Sequence, residues 1–191
     1  KATDLEGQKG LARWRKAIGE EKAAAITNAA SARGTRWHKF CELYLMGQVP
    51  GWSYVTTPED RRMAIHITHM LNENVKRVLA NEVSVVSRRY GIAGRLDLAA
   101  ELSNGKCAII DFKTGKKKKT GNRLDQAALQ GAFYADALTE SLPMGIIDTV
   151  VVAQLTPSSL YWQETPAAEW REKLQAKIAQ YAEIVNKELS K

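Results

Sequence analysis

Residues 92–113 read Ile92-Ala93-Gly94-Arg95-Leu96-Asp97-Leu98-Ala99-Ala100-Glu101-Leu102, then Ser103-Asn104-Gly105-Lys106, then Cys107-Ala108-Ile109-Ile110-Asp111-Phe112-Lys113. The first run reads as a strand, Ser-Asn-Gly is a hairpin signal, and the short apolar run after it suits a central strand. If the two runs are adjacent antiparallel strands, Asp97 and Asp111 approach the same edge of the sheet. Asp111 and Lys113 are two apart, so on a strand they face the same side. A carboxylate beside an ammonium is an unusual demand on an otherwise apolar strand. Two carboxylates hold a hard cation through oxygen, and a neighbouring Lys can stabilise charge on a phosphate or orient a water, which suits phosphodiester hydrolysis. A bare D-x-K also occurs as a salt bridge at a strand end, so its surroundings must decide.

Working outward, Glu82–Arg89 carries alternating Val83 and Val85 and reads as the strand before this hairpin. Upstream, Leu5–Met46 reads as helical, with Gly19 and Gly34 as joints. A loop containing Pro50 and Gly51 leads to Thr57-Pro58-Glu59-Asp60, a helix start with a capping Thr, a first-turn Pro and acids at the positive end of the dipole. That helix is expected to run to about Ala80 and to bury Met63, Ile67, Met70, Leu71 and Val78. Downstream, Lys116–Arg123 is a basic loop, Leu124–Thr139 a helix, Asp148–Leu155 a Val-rich strand, Leu160–Gln163 a short partner, and Ala167–Leu189 an amphipathic helix. The predicted class is α/β (α+β), a central mixed β-sheet flanked by helices. One domain is expected over residues 1–191, with an N-terminal helical part at about 5–80 and the sheet core at about 81–191.

With 45% hydrophobic and 26% charged residues, the chain is excluded from the disordered class. No stretch approaches the roughly 18 apolar residues of a membrane helix, so no membrane association is expected. Lys1–Lys16 is polar and basic, without the apolar core of a signal peptide. Cys41 and Cys107 make neither a disulfide framework nor a zinc motif; both are expected to be buried thiols in a reducing, cytoplasmic setting. The net charge of +7 is compatible with a polyanionic partner, but only its location can argue for one.

The surroundings of the two acidic strands are informative. Gly34-Thr35-Arg36-Trp37-His38 precedes them, with Glu42 one turn after His38; Gln130-Gly131-Ala132-Phe133-Tyr134 follows, with Gln130 and Tyr134 on one helix face; Glu82 opens the preceding strand. In order, G-x-x-x-H, a Glu, G-x-x-D, D-x-K and Q-x-x-x-Y resemble the RecB-like branch of the PD-(D/E)XK nucleases, over roughly Leu11 to Tyr181. Within it the chain resembles stand-alone phage exonucleases and the mitochondrial genome maintenance exonuclease. Each motif alone is weak; five in order on a fitting strand pattern are specific.

The resemblance implies a restriction-endonuclease-like core with an N-terminal helical segment. It implies His38, Asp97 and Asp111 as side-chain metal ligands with the Phe112 carbonyl, Lys113 as the catalytic lysine, Glu82 close to the metal, and Gln130 and Tyr134 at the scissile phosphate. The metal would be Mg2+, with Mn2+ able to substitute, and the activity a DNA exonuclease using metal-activated water. An endonuclease on the same fold and a non-catalytic DNA-binding subunit are the alternatives. A single-strand annealing or recombination protein would be a fitting partner, and a bacterial or phage-infected cytoplasm the setting. Some relatives carry four cysteines around an iron–sulfur cluster; with two, this chain is expected to have none. Gly115 and Gly121 lack the spacing of a phosphate-binding Walker loop, so no ATP is expected.

Lys116, Lys117, Lys118, Lys119 and Arg123 directly follow Lys113, and Arg36 flanks His38; these are the expected DNA-backbone contacts, salt-sensitive and indifferent to sequence. Trp37 is expected in the core, and Trp14, Trp52, Trp162 and Trp170 as packing residues. His66 and His69, three apart with no accompanying carboxylate motif, read as helix-surface or DNA-proximal residues.

Overall fold

The computed structural model describes residues 5–141 and 147–190. Two helices open the chain, α1 (Leu5–Ile18) and α2 (Glu20–Leu45). Gly19 separates them at φ 87°, a conformation that favours Gly. A 3-10 turn (Trp52–Tyr54) precedes α3 (Pro58–Asn74). The α3 cap is the expected one: Thr57 accepts a hydrogen bond from the Asp60 N–H (3.0 Å), with Pro58 and two acids in the first turn. Then come β1 (Val75–Ser87), β2 (Ile92–Leu102), β3 (Cys107–Thr114), α4 (Asn122–Ser141), β4 (Thr149–Leu155), β5 (Leu160–Pro166) and α5 (Ala168–Leu189).

The five strands form one sheet in chain order, and every neighbouring pair is antiparallel except β3 and β4. α4 makes the crossover that parallel pairing requires. This is the mixed, helix-flanked sheet expected from the sequence. On one face, Trp37, Phe40 and Cys41 of α2 and Met63, Ile67, Met70 and Leu71 of α3 pack on Leu98, Ile110, Phe112 and Val151. On the other face, α4 and Leu174 of α5 pack on Val85, Leu96, Ile109 and Val150. Gly131 permits the close approach of α4, because a methyl group there would collide with the Val150 side chain.

Several expectations are corrected. α3 ends at Asn74 rather than near Ala80: Val75 pairs with Leu102 and Val78 with Ala100, so sheet pairing overrides the helical periodicity of this segment. Val78 is therefore a strand residue, more than a third exposed. Gly34 is no joint; α2 runs through it, and its α-carbon faces the Thr114 hydroxyl, 3.5 Å from where a Cβ would stand. Trp37 is core, as expected, but Trp52 is 84% exposed on the 3-10 turn. Cys41 is buried, whereas Cys107, at the mouth of the hairpin, is only partly so. No described helix is long and apolar enough to cross a membrane.

Candidate active site

Alternation along β2 places Ala99 on the α4 face and Leu98, Ala100 and Leu102 on the α2 face. Leu96, an even step from Leu98, nevertheless lies on the α4 face, so the alternation slips at Asp97. The neighbouring strand is irregular at the same level. Glu82, between the pairs Asn81↔Leu98 and Val83↔Leu96, is the one described non-glycine residue with positive φ, at 53°. Such conformations are unfavourable for a side-chain-bearing residue and collect at functional sites. Together the two irregularities turn Glu82 and Asp97 toward α2, where His38 waits. His38 Nδ1 is 3.3 Å from Asp97 Oδ1 and 4.0 Å from Glu82 Oε1. The Phe112 ring meets the imidazole edge-on, with centroids 6.1 Å apart.

The last β2–β3 pair on this side is Leu98↔Ile110, which brings Asp97 and Asp111 to opposed positions just beyond it. There the Phe112 N–H donates to Asp97 Oδ2 (2.7 Å), so the carboxylate replaces a ladder partner. Asp111 and Lys113 face α4. Lys113 Nζ donates to Asp111 Oδ1 (2.7 Å) and to Gln130 Oε1 (3.4 Å), and Gln130 Nε2 donates to the Tyr134 hydroxyl (2.8 Å). Gly94 is needed for this arrangement. A Cβ there would stand 2.7 Å from Tyr134 Cε1 and 3.2 Å from Phe133 Cε1. The two halves of the site thus meet where β2 and β3 part.

Asp111 is only 3% exposed. Lys113 Nζ lies against both of its oxygens, donating to Oδ1 (2.7 Å) and standing 2.5 Å from Oδ2, and it is the carboxylate's one described partner. Burial pushes the Asp111 carboxyl up to about 6, against the attraction of Lys113 and with the help of Asp97. Burial and Asp97 also raise the Glu82 carboxyl, against Arg95 and His38. For His38, burial disfavours the imidazolium, but Asp97, Asp111 and Glu82 outweigh it and hold its pKa above the ordinary value. Three carboxylates thus gather at one point of the fold, partly offset by Arg95 on Glu82, Lys113 on Asp111 and His38 on Asp97.

That point fits a divalent cation. His38, Glu82 and Asp97 each offer a ligand atom, all within 4.8 Å of one another, and theirs is the one such group among the described residues. Two carboxylates with one imidazole suit a hard or borderline metal ion, and the Asp111 carboxylate stands next to the group, held by Lys113. Glu82, expected only near the metal, stands inside this group, while Asp111 lies outside it and holds Lys113. His66 and His69 join no such group; His69 is exposed and pairs with Glu73 at 3.2 Å.

The basic residues are sorted by their contacts. Lys116 and Lys117 are exposed, and Lys118 lies over the Tyr161 ring with Nζ 4.6 Å from its centroid. Lys119 is half-buried, and Arg123 is exposed in the first turn of α4. Arg36 binds both oxygens of Asp60, tying α2 to α3, and no described contact joins it to the acidic group. Sequence reasoning missed Gln154. It lies on β4 opposite Lys113 and is 2% exposed, its amide grips the backbone of Lys119, and a lone Gln in a wholly buried strand was its signal.

No curated protein matches the chain. A family model, the PD-(D/E)XK nuclease superfamily, matches residues 6–190. With that match over nearly the whole length and a mixed sheet that presents the acidic cluster at its parted strands, the chain belongs to the PD-(D/E)XK nuclease superfamily, whose members are divalent-metal-dependent nucleases.

Proposed function

We propose that the protein is a Mg2+-dependent DNA exonuclease, with Mn2+ able to replace Mg2+, acting at the point where β2 and β3 part. The observation that carries this reading is the convergence of His38, Glu82 and Asp97 within 4.8 Å, next to a buried Asp111 that pairs with Lys113. His38, Asp97 and Asp111, with the Phe112 carbonyl, would hold the cation, with Glu82 beside them. When bound, the cation supplies Lewis-acid polarisation of the phosphate and acidifies an attacking water.

The chain's own residues do the rest. Lys113 stands between Asp111 and Gln130, placed to stabilise charge developing on a phosphate oxygen or to orient the water. Gln130 accepts from that ammonium and is itself held by the Tyr134 hydroxyl, and the pair would face the scissile phosphate. Lys116, Lys117, Lys118, Lys119 and Arg123 track the DNA backbone, which makes binding salt-dependent and sequence-tolerant. The fold is shared with endonucleases, and the exonuclease assignment rests on the resemblance to the RecB-like branch.

The test uses end-labelled linear single- and double-stranded DNA and covalently closed circular DNA, each in EDTA, Mg2+ and Mn2+. Degradation of linear DNA only with metal, sparing the circle, supports an exonuclease, because such an enzyme needs an end. Cutting of the circle replaces that reading with an endonuclease. Binding without cleavage in every metal replaces it with a DNA-binding subunit.

A further inference from the structure

The four lysines after the catalytic strand are not equivalent. Gly115 N–H donates to the Leu155 carbonyl (3.1 Å), so the chain stays on the β4 edge as it leaves β3. It then folds back. Gln154, next to Lys113 in the β3–β4 register, accepts the Lys119 N–H through Oε1 (2.6 Å) and donates to the Lys119 carbonyl through Nε2 (3.2 Å). The amide is 2% exposed, so both of its hydrogen-bonding ends are used on one residue of the loop. Lys119 Cε lies 3.8 Å from where a Gly115 Cβ would stand, so this side chain runs back toward the end of β3 and the Lys113 side of the site.

We propose that Lys119, fixed by the buried amide of Gln154, is a second cation on the substrate phosphate beside Lys113, and that Gln154 is the positioning residue that sets it there. This rests on the nuclease reading of the site. Among the described residues, no carboxylate lies within ion-pairing distance of Lys119. Burial lowers its pKa, followed by repulsion from Lys113, with Arg123 and Arg33 adding to it against Asp111. Asp111 pairs with Lys113, so Lys119 is left without an ion pair of its own, and a phosphate is the anion that would join it to Lys113. Lys116 and Lys117, exposed at the tip, contribute charge but no fixed geometry.

Steady-state kinetics on end-labelled linear DNA would be measured for Lys119→Ala, Lys119→Arg, Gln154→Leu, Gln154→Met and the Lys119→Ala/Gln154→Leu double variant. Equilibrium binding in EDTA over a salt series would accompany them. Lys119→Ala should lower kcat/KM by about tenfold to a hundredfold, the size of one charge-assisted hydrogen bond, and reduce the salt slope of binding by about one phosphate contact. Lys119→Arg should recover most of the loss. Either Gln154 variant should reproduce the effect of Lys119→Ala, and the double variant should be no worse than the worse single, because the two residues act as a unit. Losses that multiply in the double variant would make Gln154 a general stability residue and overturn its role. If both Gln154 variants fail to fold, the Lys119 pair still decides the phosphate contact. An active wild type with an unaffected Lys119→Ala overturns this inference alone, whereas a wild type inert on DNA in every metal overturns the nuclease reading and this inference with it.

Discussion

Asp111→Asn should abolish cleavage and yet make the metal-free protein more stable. The carboxyl is 3% exposed, Lys113 is its one described partner, and burial raises its pKa from an ordinary 3.8 to about 6. At ~1.4 kcal/mol per tenfold, holding it ionised in the folded state costs about 3 kcal/mol at pH 8. Asn keeps the shape without the charge, but its amide group meets Lys113, so the gain should be about 1–3 kcal/mol. For a chain of this size that is about 2–10 °C in Tm, read by circular dichroism in EDTA. The pH dependence follows from the direction of the shift. A carboxyl raised on folding takes its proton more readily in the native state, so the penalty is full above about pH 6 and fades as the pH falls toward 3.8. The Tm difference between variant and wild type should therefore shrink across that window. Mn2+ should raise the Tm of the wild type and leave the variant nearly unmoved. A variant that melts at or below the wild type in EDTA at pH 8 would refute the reasoning, because Asp111 would then be a satisfied structural carboxylate.

Further outcomes follow from the same geometry. His38 holds its proton more tightly than an ordinary imidazole, so Mn2+ must displace that proton; calorimetric affinity should fall by up to about tenfold per pH unit as the pH drops below the raised native value. In EDTA the same imidazolium stabilises the fold at low pH, and that contribution should be lost as pH rises through the raised native value. Lys116→Ala/Lys117→Ala should reduce the slope of log K against log salt by about two phosphate contacts while leaving kcat at saturating DNA unchanged. Gly94→Ala places a methyl group 2.7 Å from Tyr134 Cε1; urea unfolding should show a loss of about 1–3 kcal/mol, with cleavage falling more steeply because Tyr134 and Gln130 move together.

The parts of the site legible in the sequence are those set by local periodicity. Asp111 and Lys113 are two apart on a strand, Gln130 and Tyr134 four apart on a helix, and each pair meets as that spacing demands. The Ser103-Asn104-Gly105 turn fixes the hairpin, with Gly105 at φ 86° and Asn104 Oδ1 accepting the Lys106 N–H. What was hidden depends on tertiary pairing. Val75–Ala80 continues the helical pattern of α3, and only its partners on β2 make it a strand. With that boundary misplaced, Glu82 looked like the opening of a strand rather than a strained residue in the middle of one, opposite Asp97. Gly34 looked like a break because its reason, the close approach to Thr114, lies on another element. Gln154 could have been found: a polar amide in Thr149-Val150-Val151-Val152-Ala153-Gln154-Leu155 must have a partner if the strand is buried.

The most direct test compares wild type and Lys113→Ala on end-labelled linear DNA in Mg2+, with binding measured on the same substrate in EDTA. The account predicts that the variant binds DNA within a few-fold of wild type and that its cleavage falls by at least a hundredfold. Cleavage by the variant at the wild-type rate would contradict it, because Lys113, Asp111 and the acidic group beside them would then not be where the phosphodiester is broken.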